Sequence, residues 1–401
     1  MRVLIATVTA GGGHLAAAAA LEEAWRAQRP EDVLEKVDVL DFASRLYRKV
    51  YTETYLKVIE HVPELYALVF KKTDNHKEVQ KATSFRRTFA HRTNRGFAKY
   101  LKQFKPDIVL CPHYLPPEIV GHLKARDGGP QPLTLSIITD FEAHAFWLEP
   151  AVDLYCVAAE ETKGSLLSRG IPKDRVVVTG IPISKKFSAP LDPAALRRSL
   201  GLRDDLPVLL VLAGGFGMGP IDEILQQLNG VEQTIHTVVV AGRNEELREK
   251  LASRLHRHPA RVFGYASNMH ELMSVADLII TKPGGLTSSE ALAMGKPMLI
   301  VSPIPGQETA NSDFLLEHGA AAKVNRVEDV PFRLNQLLGS IKLAEMAKAA
   351  KALGRPQAAE EICRTAVANW EKYSASPPVS GEPQTPYLKQ RYRAVSSGRA
   401  E

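Results

Sequence analysis

The chain has few cysteines, and its three lie far apart without a Cys-x-x-Cys pair: Cys111, Cys156 and Cys363. This spacing signals neither a zinc site nor a disulfide framework. No apolar run reaches the roughly 20 residues that a membrane-spanning helix requires. The apolar stretch at residues 1–6 is short and leads directly into glycines, so it predicts a buried strand rather than a signal peptide. We therefore expect a cytoplasmic protein.

The sequence also lacks a large excess of one charge, because it has 51 Lys and Arg and 45 Asp and Glu, for a net charge of +6. So small an excess hints only weakly at anionic partners such as nucleic acid, phospholipid or a phosphorylated ligand. The 45% hydrophobic and 24% charged content is typical of a globular protein and excludes a disordered one. At 401 residues, the chain is long enough for two domains.

Short apolar runs alternate with helical stretches, as in parallel sheets covered on both faces. The first half predicts strands at 3–8, 37–40, 107–111, 133–138, 154–158 and 176–178. After a proline-containing connector the pattern restarts, with strands at 208–212, 237–241, 261–263, 278–281 and 298–301. We therefore predict an α/β fold of two doubly wound Rossmann-like domains, 1–180 and 181–356, facing across a ligand-binding cleft.

The remainder of the chain differs in character. Residues 357–373 predict an amphipathic C-terminal helix that can pack on either domain, and our hypothesis is that it packs back on the N-terminal one. Residues 374–401 are rich in proline and are predicted to be disordered.

The first strand leads into a helix through a glycine run that includes Gly12 and Gly13 and ends at His14. Glycines let a ligand approach the backbone, and a helix N-terminus offers free N–H groups. His14 is well placed for acid–base work, although an ordinary capping histidine is the alternative. The loop also satisfies a loose dinucleotide fingerprint, with Asp38 further along the chain.

Three further loops follow strands in the second half. Four glycines lie within six residues at 214–219, which suggests close approach to phosphate or sugar. The run TKPGGLTSSE at 281–290 opens a helix, and Glu290 can accept hydrogen bonds from a ribose or can belong to a capping box. Gln307 and Glu308 follow the next strand and can bind sugar hydroxyls.

The stretch from Lys71 to Lys102 is strongly basic and carries aromatic residues at roughly helical spacing. Such a helix can lie on an anionic membrane surface. A solvated helix with its aromatics in the core is an equally weighted interpretation. The candidate membrane contacts are Phe85, Arg86, Arg87, Phe89, Arg92 and Arg95, and the aromatic set also includes Phe97 and Tyr100.

Together these motifs resemble glycosyltransferase family 28. The resemblance is to its branch of monogalactosyldiacylglycerol synthases and processive diacylglycerol glucosyltransferases, and it covers nearly the whole chain to about residue 370. It rests on the GGGH loop at 11–14, HVPELY at 61–66, TDF at 139–141, GIP at 180–182, AGRN at 241–244, TKPGGLTSSEA at 281–291 and PGQE at 305–308.

The resemblance implies a GT-B fold, a UDP-hexose donor and a lipid acceptor, with diacylglycerol expected. Glu290 would bind the ribose, Gln307 and Glu308 the hexose, and the backbone near Phe263 the uracil. His14, and with it Asp140, would face the acceptor. The implied donor set is Gly214, Gly215, Gly217, Met218, Gly219, Arg243, Phe263, Gly264, Tyr265, Gly285, Leu286, Thr287, Ser288, Glu290, Gln307 and Glu308. The implied acceptor side adds Gly12, Gly13, His144 and Trp147.

Members of this family invert the anomeric centre in one displacement, so the reaction requires a base and a stabilised leaving group. We favour His14 as the base, with Asp140 as the alternative base or as the group that orients His14. The sequence has no Asp-x-Asp motif, so we expect neither metal nor cofactor, with helix N-termini stabilising the diphosphate.

The expected partners are the donor, the lipid acceptor and an anionic membrane surface to which the protein binds peripherally, without nucleic acid. Three alternative functions remain open from the sequence. They are a UDP-sugar epimerase of the same architecture, a dinucleotide-dependent oxidoreductase, and a non-catalytic protein that binds nucleic acid or membrane through the basic stretch.

Overall fold

The computed structural model describes residues 1–9, 12–44, 47–49, 68, 70–74, 88–90, 92–125, 131–212, 219–253 and 256–375. Within these residues the chain forms two six-stranded parallel sheets. The strands are continuous apolar runs, and most of them are buried at every position because helices cover both faces of each sheet. The predicted α/β architecture is therefore confirmed.

The first sheet has the strand order β2-β1-β3-β4-β5-β6. Its strands are β1 Arg2–Thr7, β2 Val33–Asp38, β3 Ile108–Cys111, β4 Leu133–Ile137, β5 Leu154–Val157 and β6 Val176–Val178. The helices described around it are α1 Gly12–Gln28, α2 Arg95–Phe104, α3 Leu115–Lys124 and α4 Glu160–Ser168.

The second sheet has the order β12-β11-β10-β7-β8-β9. Its strands are β7 Val208–Leu212, β8 His236–Val240, β9 Ala260–Phe263, β10 Leu278–Thr281, β11 Met298–Ile300 and β12 Ala321–Lys323. The helices after β6 are α5 Pro193–Ser199, α6 Ile221–Leu228, α7 Glu245–Ala252, α8 Met269–Val275, α9 Gly285–Ala293, α10 Gln307–Glu317, α11 Val330–Leu337, α12 Ile341–Leu353 and α13 Ala358–Ala375.

One strand prediction needs correction, and one strand was missed. The strand predicted at 37–40 begins earlier, at Val33, and ends at Asp38, whose carboxylate accepts a hydrogen bond from the Leu40 amide and starts a short 3-10 turn. The short, alanine-rich strand β12 has no distinctive apolar run and was not predicted.

The last described helix, α13, returns to the first sheet. Its buried residues Ile362 and Cys363 belong to the same apolar cluster as Leu21 and Trp25 of α1. The chain therefore crosses back from the second sheet to the first. None of the helices in the described part of the chain is long and apolar enough to cross a membrane.

The two sheets share a continuous interface. A single apolar cluster contains Phe141 from the first half together with Leu286 and Phe314 from the second. The rings of Phe141 and Phe314 stack with centroids 4.4 Å apart, and His318 Nε2 lies 3.0 Å from the Glu161 carboxylate. These contacts bring the strand-exit loops of both sheets together, which is where ligands bind in such folds.

Candidate active site

His14 lies in the first turn of α1, directly after β1. Its Nδ1–H donates to the Pro112 carbonyl at 2.8 Å, and Thr139 Oγ1 lies 3.2 Å from the same nitrogen. Because a carbonyl can only accept, Nδ1 carries the proton and Nε2 keeps its lone pair. Burial lowers the pKa of His14 to about 4, against a smaller opposing effect of the Pro112 bond. The imidazole is therefore neutral near pH 7 and has a lone pair at Nε2, and burial makes it a weaker base than a solvated histidine.

Aromatic rings surround this imidazole. The His113 ring lies edge-on to it at 4.7 Å between centroids, and the buried Trp147 ring lies 6.4 Å away. Burial, together with the nearby His14, holds the pKa of His113 well below its usual value, and its Nδ1 accepts the Leu115 amide. Sequence reasoning missed His113, although its position directly after β3 was a usable signal.

Asp140 follows β4 at the edge facing the second sheet. Burial, with a contribution from the negative charge of Glu308, raises the pKa of Asp140 to about 6, and a hydrogen bond from Asn311 opposes this rise. That bond joins Asn311 Nδ2 to Asp140 Oδ1 at 3.0 Å. Asp140 was predicted either to act as the base or to orient His14, but the Pro112 carbonyl orients that ring.

His144, predicted on the acceptor side, uses both ring nitrogens in holding the local structure. Nδ1 accepts the Phe146 amide at 3.1 Å, and Nε2–H donates to the Phe70 carbonyl at 3.0 Å. Nearby, Asp74 accepts two hydrogen bonds from Arg169 and one from the Ala145 amide. His144 thus links residues 70–74 to the segment that follows β4, and a direct role toward the acceptor stays a prediction.

The N-terminus of α9 meets the first domain at very close range. A Cβ atom on Gly285 would lie 1.9 Å from the Thr139 carbonyl oxygen, so only glycine fits there. A Cβ on Gly13 would lie 3.5 Å from the Leu286 side chain, whereas Gly12 has open space. The predicted acceptor loop and the predicted donor loop are therefore neighbours in space.

Glu290 is not a capping residue. The N-cap of α9 is Gly284, so Glu290 lies well beyond the first turn, and none of the side-chain hydrogen bonds found among the described residues involves it. Burial raises the pKa of Glu290 to about 8. A half-buried carboxylate without a hydrogen-bond partner among the described residues is unfavourable, so this position suits a ligand that donates hydroxyl groups. Thr287 and Ser288 lie one turn earlier, and the buried Ser288 hydroxyl has no partner among the described residues.

Gln307 and Glu308 open α10, the third helix whose N-terminus points into this region. Glu308 Oε2 accepts the Ile304 amide at 2.7 Å, and a Cβ on Gly284 would lie 3.9 Å from its Oε1. Burial raises the pKa of Glu308, and the positive charge of Lys282 opposes this. Lys282, which lies within the TKPGGLTSSE motif but was not predicted as a site residue, is thus close enough for its charge to act on Glu308.

The predicted uracil-side residues follow β8 and β9. The Arg243 guanidinium lies 5.2 Å from the centroid of the Tyr265 ring, which is 65% exposed. Phe263 is half-buried, and a Cβ on Gly264 would contact the Arg248 side chain at 3.4 Å. Gly219 is described, with a positive φ of 137°. Four predicted donor residues lie outside the described residues: Gly214, Gly215, Gly217 and Met218.

The basic stretch is described only in part, and Phe85, Arg86 and Arg87 lie outside the described residues. Phe89 is 50% exposed. Phe97 is fully buried in the core, so for this residue the interpretation with aromatics in the core holds and a membrane contact does not. On and just before α2, four basic side chains are exposed at three- to four-residue spacing: Arg92, Arg95, Lys99 and Lys102.

Asp38, the acidic residue that a dinucleotide-binding site would require, is not available to bind a ribose. Asp38 accepts hydrogen bonds from the Leu40 amide and from both the amide and the hydroxyl of Thr9. These bonds occupy both carboxylate oxygens and fix the exit of β1. Asp38 is therefore a structural residue and not a free ribose ligand.

Comparison with known proteins identifies the family of the chain. The monogalactosyldiacylglycerol synthase family matches residues 14–183, and the C-terminal domain of glycosyltransferase family 28 matches residues 208–362. A processive diacylglycerol beta-glucosyltransferase from Bacillus cereus is 32% identical over 371 residues, which cover 92% of this chain and 93% of that protein.

Solved structures share the fold at low identity. MurG from Acinetobacter baumannii superposes with a TM-score of 0.58 at 18% identity, covering 91% of this chain and 99% of that one. Anabaena Alr3699/HepE, solved with UDP and glucose, gives a TM-score of 0.53 at 13% identity, covering 94% and 100%. The fold is thus GT-B. The chain belongs to glycosyltransferase family 28, in the branch of the monogalactosyldiacylglycerol synthases and processive diacylglycerol glucosyltransferases.

Proposed function

We propose that the protein transfers a hexose from a UDP-sugar to diacylglycerol in a membrane, with inversion at the anomeric carbon. The observation that carries this proposal is the contact between Gly285 and the Thr139 carbonyl. It places the start of the donor helix α9 beside Thr139, whose hydroxyl lies 3.2 Å from Nδ1 of His14. A donor sugar held on α9 and an acceptor hydroxyl at His14 would therefore be adjacent.

In this mechanism the acceptor hydroxyl gives its proton to Nε2 of His14 as its oxygen bonds to the anomeric carbon. The bond from that carbon to the diphosphate breaks, and UDP leaves. The first-turn N–H groups of α1, α9 and α10 can stabilise the charge on the leaving group without a metal ion. An ionised Asp140 beside the donor helix would stabilise the positive charge that develops on the sugar ring.

The donor contacts follow from the same geometry. Glu290 would accept two hydroxyl hydrogen bonds from the ribose, since nothing described occupies its carboxylate. Gln307 and Glu308 would bind the hexose, and Arg243 with Tyr265 lies where uracil is expected. The similar Bacillus protein is named for diacylglycerol and a glucosyl group, which supports a lipid acceptor and makes glucose the first donor to test.

The test is incubation of the purified protein with radiolabelled UDP-glucose or UDP-galactose and vesicles containing dioleoylglycerol, followed by lipid chromatography. We expect labelled glycolipid from one of the donors, and we expect formation to continue in EDTA. Label found only in an epimerised UDP-sugar would overturn the transferase proposal. Loss of transfer in EDTA, restored by magnesium or manganese, would overturn the metal-free leaving-group step alone.

A further inference from the structure

Asn311 lies on α10, one turn after the predicted hexose-binding pair, and is fully buried at 0% exposure. Its Nδ2 donates to Asp140 Oδ1 at 3.0 Å and to the Pro283 carbonyl at 3.1 Å. Its Oδ1 accepts the Phe141 amide at 2.8 Å. Two acceptors and one donor face the group, so only this orientation of the amide satisfies all three bonds.

These partners come from both domains. Asp140 and Phe141 follow β4 of the first sheet, whereas Pro283 follows β10 and Asn311 follows β11 of the second. Both Nδ2 protons are used within the protein, so none remains for a sugar hydroxyl. One side chain therefore ties a carboxylate of the predicted acceptor side to the loop that begins the donor helix.

We propose that Asn311 is a positioning residue, which holds the Asp140 carboxylate in place and couples it to the donor loop when the two domains are together. This inference rests on the proposed function, because Asp140 would act on the sugar or the acceptor. Asn311 itself would touch neither substrate.

The groups around Asp140 determine the direction in which its pKa should change when Asn311 is replaced. Burial and the Glu308 carboxylate raise the pKa of Asp140, and the Asn311 hydrogen bond lowers it. From α1, the neutral His14 contacts Thr139, the residue before Asp140. The first turn of α9 contains no acidic residue. Removal of the Asn311 donors should therefore raise the pKa of Asp140 above its present value of about 6.

The variants are Asn311→Ala and Asn311→Asp, the second of which keeps the shape but loses the N–H donors. Ser312→Ala is the matched control, since Ser312 is the next residue, is equally buried, and has a hydroxyl without a partner among the described residues. Transfer from UDP-glucose to dioleoylglycerol vesicles is measured from pH 5 to pH 9, and UDP affinity is measured by calorimetry.

We expect both Asn311 variants to lose about 10²-fold in kcat at pH 6, the typical cost of a misplaced reacting group, and to recover partly toward pH 9. UDP affinity should change little, and Ser312→Ala should match the parent protein. In an Asp140→Asn background, Asn311→Ala should add almost nothing. A loss of kcat equal at every pH, or a loss of UDP affinity that matches the loss of kcat, would overturn the inference.

A second measurement, the dependence of stability on pH, does not require catalytic turnover. A carboxyl group whose folded pKa lies above its unfolded pKa makes stability fall as pH rises between the two values. In Asn311→Ala this window should extend to higher pH than in Ser312→Ala, and the difference should vanish when Asp140 is Asn. An unchanged window overturns the positioning role, whereas a shifted window without glycolipid formation overturns only the proposed reaction.

Discussion

The most informative single residue is Glu290, because its environment is poor for folding and suitable for binding. The side chain is half-buried on α9 and, within the described residues, makes no hydrogen bond. A carboxyl group in this state stays protonated near neutral pH or waits for donors from a ligand. Such positions are expected where function opposes stability.

Glu290→Gln should make the protein more stable and a weaker binder of UDP. The pKa of Glu290 is about 8 in the folded protein, above the value in an unfolded chain, so its ionisation costs stability increasingly as pH rises. We expect the amide to raise unfolding free energy at pH 8 by on the order of 2 kcal/mol, and by less at pH 5. Loss of a charged acceptor should weaken UDP binding by about 1.5–3 kcal/mol.

Calorimetry and thermal unfolding at the two pH values check this prediction. Glu345→Gln, which removes an exposed carboxylate on α12, is the control and should change neither quantity. Unchanged UDP affinity in Glu290→Gln would remove Glu290 from the donor site.

At the scale of elements, three helices begin at the site. The first turns of α1, α9 and α10 follow β1, β10 and β11 of the two sheets. Each first turn has unpaired N–H groups and the positive end of a helix dipole. Their convergence depends on a glycine at the start of α9, since a larger residue would meet the Thr139 carbonyl.

Gly285→Ala should therefore separate α9 from the first domain and reduce transfer. The added Cβ would lie 1.9 Å from the Thr139 carbonyl oxygen, and backbone must move to relieve the overlap. We expect kcat to fall by about 10²-fold, measured with the lipid assay. Gly164→Ala on α4 is the matched control, because a Cβ there meets nothing within 4 Å; it should leave activity intact and stabilise the helix by about 0.5–1 kcal/mol. Full activity in Gly285→Ala would show that the close approach is not needed.

At the scale of the whole molecule, the proposed lipid acceptor lies in a bilayer, so the first domain would have to approach the surface of that bilayer. The exposed basic side chains on and before α2 form one face, opposite buried apolar residues of the same helix. Each basic residue near an anionic surface contributes about 1 kcal/mol, and salt screens this attraction. We propose that this face binds the membrane peripherally.

The triple variant Arg95→Gln, Lys99→Gln and Lys102→Gln should sediment less with vesicles containing anionic lipid and should form less glycolipid, while UDP affinity is kept. Binding of the parent protein should fall as salt rises. The control replaces Lys342, Lys348 and Lys351 of α12, which are equally exposed on the second domain. Equal sedimentation of the two triple variants would place the membrane contact elsewhere.

The sequence by itself determined the features that depend on neighbouring residues. Continuous apolar runs predicted most strands of both sheets, because a strand buried on both faces needs every position apolar. Glycine-rich turns before helices predicted the loops of the site, since close approach to a helix N-terminus is a local property. The same contiguous motifs carried the family resemblance.

Only the tertiary structure decided which groups meet. Asn311 holds Asp140 from 171 residues away, and Pro112 orients His14 from 98 residues away. Neither partner belongs to a pattern that a window of sequence can reveal, because each contact depends on how two strand-exit loops are placed. The tertiary structure also gave His144 a structural role and separated Glu290 from the helix cap. Local sequence thus specified the loops of this site, and the packing of two sheets specified the hydrogen bonds between them.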